Sequence, residues 1–130
     1  MDIVQRTTKG FLLEEREEGK IALLRFLDRN LNFYVSEALR EEVKRTLEEQ
    51  AEKGTRGIVL DMVEVGVIDS CGVGLVISAC NHASSLGLGL ALCRVSPFID
   101  RVFDVMRLKR HLQVFGEEAE AIAALSSDKE

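Results

Sequence analysis

The sequence contains no tryptophan and only one tyrosine among 130 residues. That scarcity argues against an aromatic platform for stacking nucleic-acid bases. Positive charge is also short. Lys and Arg number 17 against 22 Asp and Glu, a net charge of −5. An acidic domain is a poor fit to phosphate backbones or anionic lipid, so the expected partner is a protein, with no nucleic acid and no direct membrane insertion. No apolar run approaches the length that spans a bilayer. The start Met1-Asp2-Ile3-Val4-Gln5-Arg6 lacks the basic-then-apolar pattern of a signal peptide. Cysteine is sparse. Cys71, Cys80 and Cys93 are odd in number and form no C-x-x-C pair, which argues against a disulfide framework and suits a reducing cytoplasm. They lie nine and thirteen residues apart with no histidine pair, so no metal site is expected.

Catalytic signatures are missing too. Ser70 does not sit in a G-x-S-x-G elbow, because Ile68 holds the place of the first glycine. His82 and His111 are the only histidines, and neither comes with an orienting carboxylate motif. Gly72 and Gly74 open a helix, but no G-x-x-x-x-G-K run accompanies them, so no nucleotide cofactor is expected. Cys71 has one argument for reactivity, since a helix N-terminus lowers a thiol pKa, and one against, the carboxylate of Asp69 nearby. No catalytic residue and no cofactor are read from the chain.

What is present is an ordinary globular composition, 46% hydrophobic and 30% charged, which excludes disorder and fibre. The length fits one domain over residues 1–130, with its core at about 11–125. Such a chain buries about two-thirds of its unfolded surface without disulfide staples. Residues 1–10 say little beyond a turn at Lys9-Gly10. Residues 11–15 and 20–27 read as a hairpin around Arg16-Glu17-Glu18-Gly19. In its second strand Ile21, Leu23 and Arg25 share one face and Ala22, Leu24 and Phe26 the other.

Residues 28–32 read as a loop into a helix with Val35, Leu39, Val43, Leu47 and Ala51 as its apolar stripe and Gly54 as its stop. Residues 57–62 form a β-branched central strand. The next helix, 72–86, carries Val73, Val76, Ile77, Cys80 and Ala83 on one stripe. Its neighbouring face, with Leu75, Ala79 and His82, is either open to a partner or covered by another element. Residues 88–93 are a strand. Ser96-Pro97 opens a third helix with a cap and a first-turn proline. Phe98, Val102, Val105 and Met106 are its expected buried stripe, and Arg107, Lys109 and Arg110 gather at its C-terminal end. A short strand at 112–115, a helix opened by Glu117, Glu118 and Glu120, and a polar tail at 126–130 complete the chain. The order ββαβαβαβα implies an α/β fold, a mostly parallel mixed sheet with helices packed against it.

Two blocks carry a family resemblance. The first runs from Ile58-Val59-Leu60-Asp61 to Val67-Ile68-Asp69-Ser70-Cys71-Gly72-Val73-Gly74. The second is Ser96-Pro97-Phe98-Ile99-Asp100-Arg101-Val102-Phe103-Asp104-Val105 with Leu108. Together they resemble the STAS domain, in particular bacterial anti-anti-sigma factors (anti-sigma factor antagonists). The resemblance implies a STAS fold and a binding role in partner switching, with no catalysis. Members of this kind bind a serine-kinase anti-sigma factor. Phosphorylation of the serine after the motif aspartate, here Ser70, ends that grip, and a metal-dependent serine phosphatase restores it. Asp69, Cys71, Gly72, Val73, Gly74, Leu75 and Asn32 are then the partner-binding residues. Cys71 stands where the family often has serine or threonine, Arg29-Asn30-Leu31-Asn32 where it commonly reads Gly-(Glu/Arg)-Leu-Asp, and Arg107 where it commonly has glycine. The alternative implied role is a scaffold or regulatory subunit of a stressosome-like or transport system, acting through the face near Leu75 and Ala79 without Ser70 phosphorylation. A homodimer stays open under both.

Overall fold

The segments 21–26, 57–61 and 89–93 are apolar on both faces, and they form the centre of one sheet. The computed structural model describes residues 4–6 and 10–126. Its elements in chain order are β1 (Val4–Arg6), β2 (Phe11–Arg16), β3 (Ile21–Phe26), β4 (Asn30–Leu31), α1 (Phe33–Lys53), β5 (Gly57–Asp61) and β6 (Val67–Ile68). There follow α2 (Ser70–Ser85), β7 (Gly89–Cys93), α3 (Pro97–Val105), β8 (Val114–Phe115) and α4 (Glu118–Ser126). The main sheet has the order β1-β2-β3-β5-β7-β8. β1, β2 and β3 pair antiparallel, and β3, β5, β7 and β8 pair parallel.

Side-chain alternation divides the sheet into two faces. Ala22, Leu24, Phe26, Ile58, Leu60, Leu90 and Leu92 point into the larger core, shared with α1, α2 and α3. Ile21, Leu23, Val59, Ala91 and Cys93 point the other way, under Ala121, Ile122 and Leu125 of α4. The three helices on one face are the crossovers of successive parallel strands, which wind with one hand. α4 follows the last strand and covers the bare face. Leu125 lies so close to Gly57 and Gly89 that a Cβ there would meet its side chain at 3.0 and 3.1 Å. Those two glycines let α4 sit down on the sheet.

The mixed sheet, the both-faces-buried β3, the Gly54 stop (φ 92°) and the Ser96 cap (accepting from the Ile99 N–H) all match the sequence reading. Four features differ. Residues 4–6 form an antiparallel edge strand, which their mixed composition did not signal. The expected loop before α1 contains β4, paired with β6. The buried path on α1 is Ser36, Leu39, Val43, Thr46, Leu47 and Gln50, whereas Val35 and Ala51 are half-buried. A strict four-residue spacing drifts about 40° per step around a helix, so its two ends leave the core. The largest correction is α3. Its buried residues are Ile99 and Phe103, while Phe98, Val105 and Met106 are exposed. Two apolar stripes run side by side on this short helix, and only the packing chooses between them. Arg107, which follows it, has φ 58°, the left-handed region that favours glycine. Lys9 and residues 127–130 lie outside the described residues.

At the carboxyl ends of β3, β5 and β7 the α4 face turns ionic. Asp61 is fully buried. Its Oδ2 accepts from Arg25 Nε at 2.8 Å and Arg94 Nη2 at 2.6 Å, and its Oδ1 accepts from Arg94 Nε at 3.2 Å and the Val63 N–H at 3.2 Å. Both arginines also reach Glu118 Oε2, at 3.1 and 3.0 Å, tying the first turn of α4 to the sheet. Arg94 takes φ 56°, a conformation that costs a non-glycine residue about 1 kcal/mol or more. Burial pushes the Asp61 carboxyl up, but the hydrogen bonds from Arg94 and Arg25 outweigh it and hold the group below the usual carboxylate range. Burial, with the charges of Asp61 and Glu118, pushes the Cys93 thiol up to about 12.

Removing Asp61 takes away the buried one of the two carboxylates that Arg25 and Arg94 share and leaves them only the partly exposed Glu118 in common. Asp61→Ala is expected to cost about 3–5 kcal/mol in denaturant unfolding. The sign of the pH effect follows from the lowered pKa. The Asp61 contribution is complete above the ordinary carboxylate pKa and is lost as pH falls through the folded value. Stability measured from neutral pH into acid should therefore fall less steeply in Asp61→Asn than in wild type.

Candidate functional site

The short strands β4 and β6 pair in parallel, Asn30 with Val67 and Leu31 with Ile68. Each runs directly into a helix. α1 and α2 therefore begin side by side, and their positive N-terminal ends converge. The residues at the two junctions, Asn32 and Asp69, are both helix caps. Asn32 Oδ1 accepts from the Val35 N–H at 3.0 Å, within its own helix. Asp69 serves two helices. Its Oδ1 accepts from the N–H groups of Cys71 (2.9 Å) and Gly72 (3.0 Å), and its Oδ2 accepts from the N–H of Phe33, the first residue of α1, at 3.0 Å. One carboxylate thus satisfies orphan amides on both helices and places negative charge where both dipoles favour it.

Gly72 is what allows this closeness. A Cβ there would stand 2.1 Å from the carbonyl oxygen of Leu31 and 2.6 Å from Ile68 Cγ1. Gly74 is different, since a Cβ on it would meet nothing within 4 Å. That position 72 has no room for a Cβ while position 74 has is not visible in the sequence.

Ser70, the first residue of α2, is exposed, as is Asp69 beside it. Cys71, Gly74 and Asn32 are half-buried. Gly72 and Val73 are buried, and Leu75 is 2% exposed. The face carrying Leu75 and Ala79 is therefore covered, because α1 packs against it. What remains is a shallow groove of about 580 Å³ between the helices, edged by Gly74 and Ser78 on α2 and Arg40 and Lys44 on α1. The structure gathers Asp69, Ser70, Cys71, Gly74 and Asn32 at one surface and turns Val73 and Leu75 inward as core.

Three residues that sequence reasoning passed over join that surface. Phe33 is 49% exposed and Tyr34 78%, their rings edge to face at 5.1 Å, and Val67 is also exposed. The available signal was that Phe33-Tyr34 is an adjacent aromatic pair lying off the apolar stripe of α1. Of the other reactive groups, His82 Nε2 sits 2.9 Å from Glu48, and Cys80 is half-buried with its thiol pushed up by burial. Among the described residues no group of three metal-ligating side chains comes together, and no helix is long and apolar enough to cross a membrane.

A family model of the STAS domain matches residues 14–121. The chain belongs to the STAS domain family. This STAS domain is 27% identical over 93 residues to BtrV of Bordetella bronchiseptica, a protein assigned as an anti-sigma factor antagonist, covering 72% of this chain and 80% of that one. It superposes on the Bacillus cell fate determinant SpoIIAA in its phosphorylated form with a TM-score of 0.63 and 22% identity, covering 88% and 98% of the two chains. It also matches part of the murine anion transporter Slc26a9, with a TM-score of 0.72 and 16% identity, covering 98% of this chain and 22% of the transporter. At these identities the two structural matches establish a shared STAS fold.

The double cap makes a measurable claim. Asp69→Ala removes acceptors from the first turns of two helices and should cost about 2 kcal/mol in denaturant unfolding, roughly one per cap. Hydrogen exchange should quicken at the amides of Phe33 as well as Cys71 and Gly72. Faster exchange confined to α2 would show that Asp69 caps one helix only.

Proposed function

We propose that this protein is an anti-sigma factor antagonist whose grip on a serine-kinase anti-sigma factor is switched off by phosphorylation of Ser70. The observation that carries the reading is the placement of Ser70, an exposed hydroxyl on the first residue of α2, at a surface where two helix N-termini meet. Asp69, Cys71, Gly74 and Asn32 surround it and form the contact surface with Phe33 and Tyr34. Gly72, Val73 and Leu75 act from below by holding the helix in place. The protein works by binding, in the cytoplasm, with no catalytic step and no cofactor of its own. A metal-dependent serine phosphatase returns it to the binding form.

The physical chemistry of the switch is local. A phosphoryl group adds nearly two negative charges and several acceptor oxygens. At a helix N-terminus the dipole and the first-turn amides favour that charge, so the fold tolerates it. A partner covering Ser70 would have to strip water from a phosphate beside the Asp69 carboxylate, which costs several kcal/mol when no cation compensates. Binding is lost while the domain keeps its shape. The likeness to a transporter module supports the second reading, a scaffold or transport subunit that binds partners without modification of Ser70.

The test is to incubate the purified protein with ATP and a soluble extract of its host and to map phosphopeptides beside Ser70→Ala. Phosphate on Ser70, absent from the variant, is the expected result. Ser70→Asp should then bind the anti-sigma factor at least tenfold more weakly than wild type. An unlabelled Ser70 beside a labelled control substrate would transfer the weight to the scaffold or transport reading.

A further inference from the structure

Among the described residues nothing covers the apolar outer face of α3. Phe98 is 54% exposed, Val105 76% and Met106 46%, with Val102 half-buried among them. With Arg101 they line an open hollow of about 230 Å³, room for one large side chain. Positions 98, 102 and 105 follow the spacing by which one helix presents anchors to another. α3 packs on β6, whose Val67 is exposed and which runs straight into Asp69 and Ser70. The contact with β6 puts α3 beside the strand that leads into the Ser70 site.

The rim of this patch has a sign. Arg101, Arg107 and Arg110 are exposed, and among the described residues none of them has an ion-pair partner. Lys109 differs, being held by Asp100 at 2.8 Å and Asp104 at 3.3 Å. Those two carboxylates lie on the side of α3 away from the hollow, as the helical repeat requires. In a domain of net charge −5, an unpaired arginine in the hollow (Arg101) and two more just after the helix (Arg107 and Arg110) are complementary to an acidic partner.

Resting on the reading above, we infer that the outer face of α3 is a second docking patch for the anti-sigma factor, taking an apolar helical segment flanked by Asp or Glu. Symmetric pairing with a second copy is disfavoured, because it would bring two positively charged patches together. A membrane surface is disfavoured by the overall negative charge and by the nine-residue length of the helix.

Binding of the purified anti-sigma factor to dephosphorylated protein, measured by calorimetry and surface plasmon resonance, tests this. Phe98→Ala with Val105→Ser should weaken binding about tenfold or more, with unchanged thermal unfolding. Arg101→Glu with Arg107→Glu should slow association and flatten its salt dependence. Wild-type affinity in both double variants, alongside loss of binding in Ser70→Asp, would overturn the α3 patch and leave the switch standing. Loss in the α3 variants with Ser70→Asp unaffected would support the patch and remove the switch. No binding by wild type would remove both. A concentration-dependent dimer abolished by Val105→Ser, or sedimentation with phosphatidylglycerol vesicles, would assign the face to another occupant and overturn the proposal.

Discussion

The Asp69 carboxylate is the contact on which the junction of α1 and α2 depends. Two helices start from adjacent parallel strands, and each leaves amides without partners. A single side chain takes three of those amides, from both helices. The junction closes only because Gly72 has no Cβ to strike the Leu31 carbonyl. This geometry fixes where Ser70 points and surrounds it with residues from α1 as well as α2. It also places a negative charge beside the hydroxyl from the outset. A second negative group on Ser70 then changes how the surface can be covered far more than it changes the fold.

The opposite face of the sheet solves a different problem. α4 is short, and its apolar side covers only a small second core. Its anchoring is therefore polar at one end and steric at the other. Glu118 meets the arginines that hold the buried Asp61, and Leu125 rests on Gly57 and Gly89. Breaking a buried ionic set is costly because each partner is left desolvated. Both Asp61 and Ser70 lie toward the carboxyl ends of the parallel strands, where open α/β sheets present their sites. One face uses that edge to lock a helix, and the other leaves Ser70 exposed at it.

Ile99 and Phe103 dock α3 on the core, which leaves Phe98, Val102, Val105 and Met106 on the outside. A helix with two apolar stripes has one to bury and one to display. The helix itself contacts β6, the strand that leads into Asp69.

The amino-acid sequence by itself determined the elements whose signals are local. The alternation in residues 21–26 assigned both faces of β3, glycine at 54 ended α1, and Ser96-Pro97 began α3. Each depends on backbone preference or on a period that one segment carries alone. Tertiary structure decided everything that needs two segments. It paired residues 30–31 with 67–68, gave Asp69 a second helix to cap, chose Ile99 and Phe103 over the neighbouring stripe, and turned Leu75 inward beneath α1. A hydrophobic period says that a face is buried, but two adjacent apolar faces on one helix satisfy the same period. Only the position of the neighbouring elements, set by strand order and helix crossing, breaks that tie.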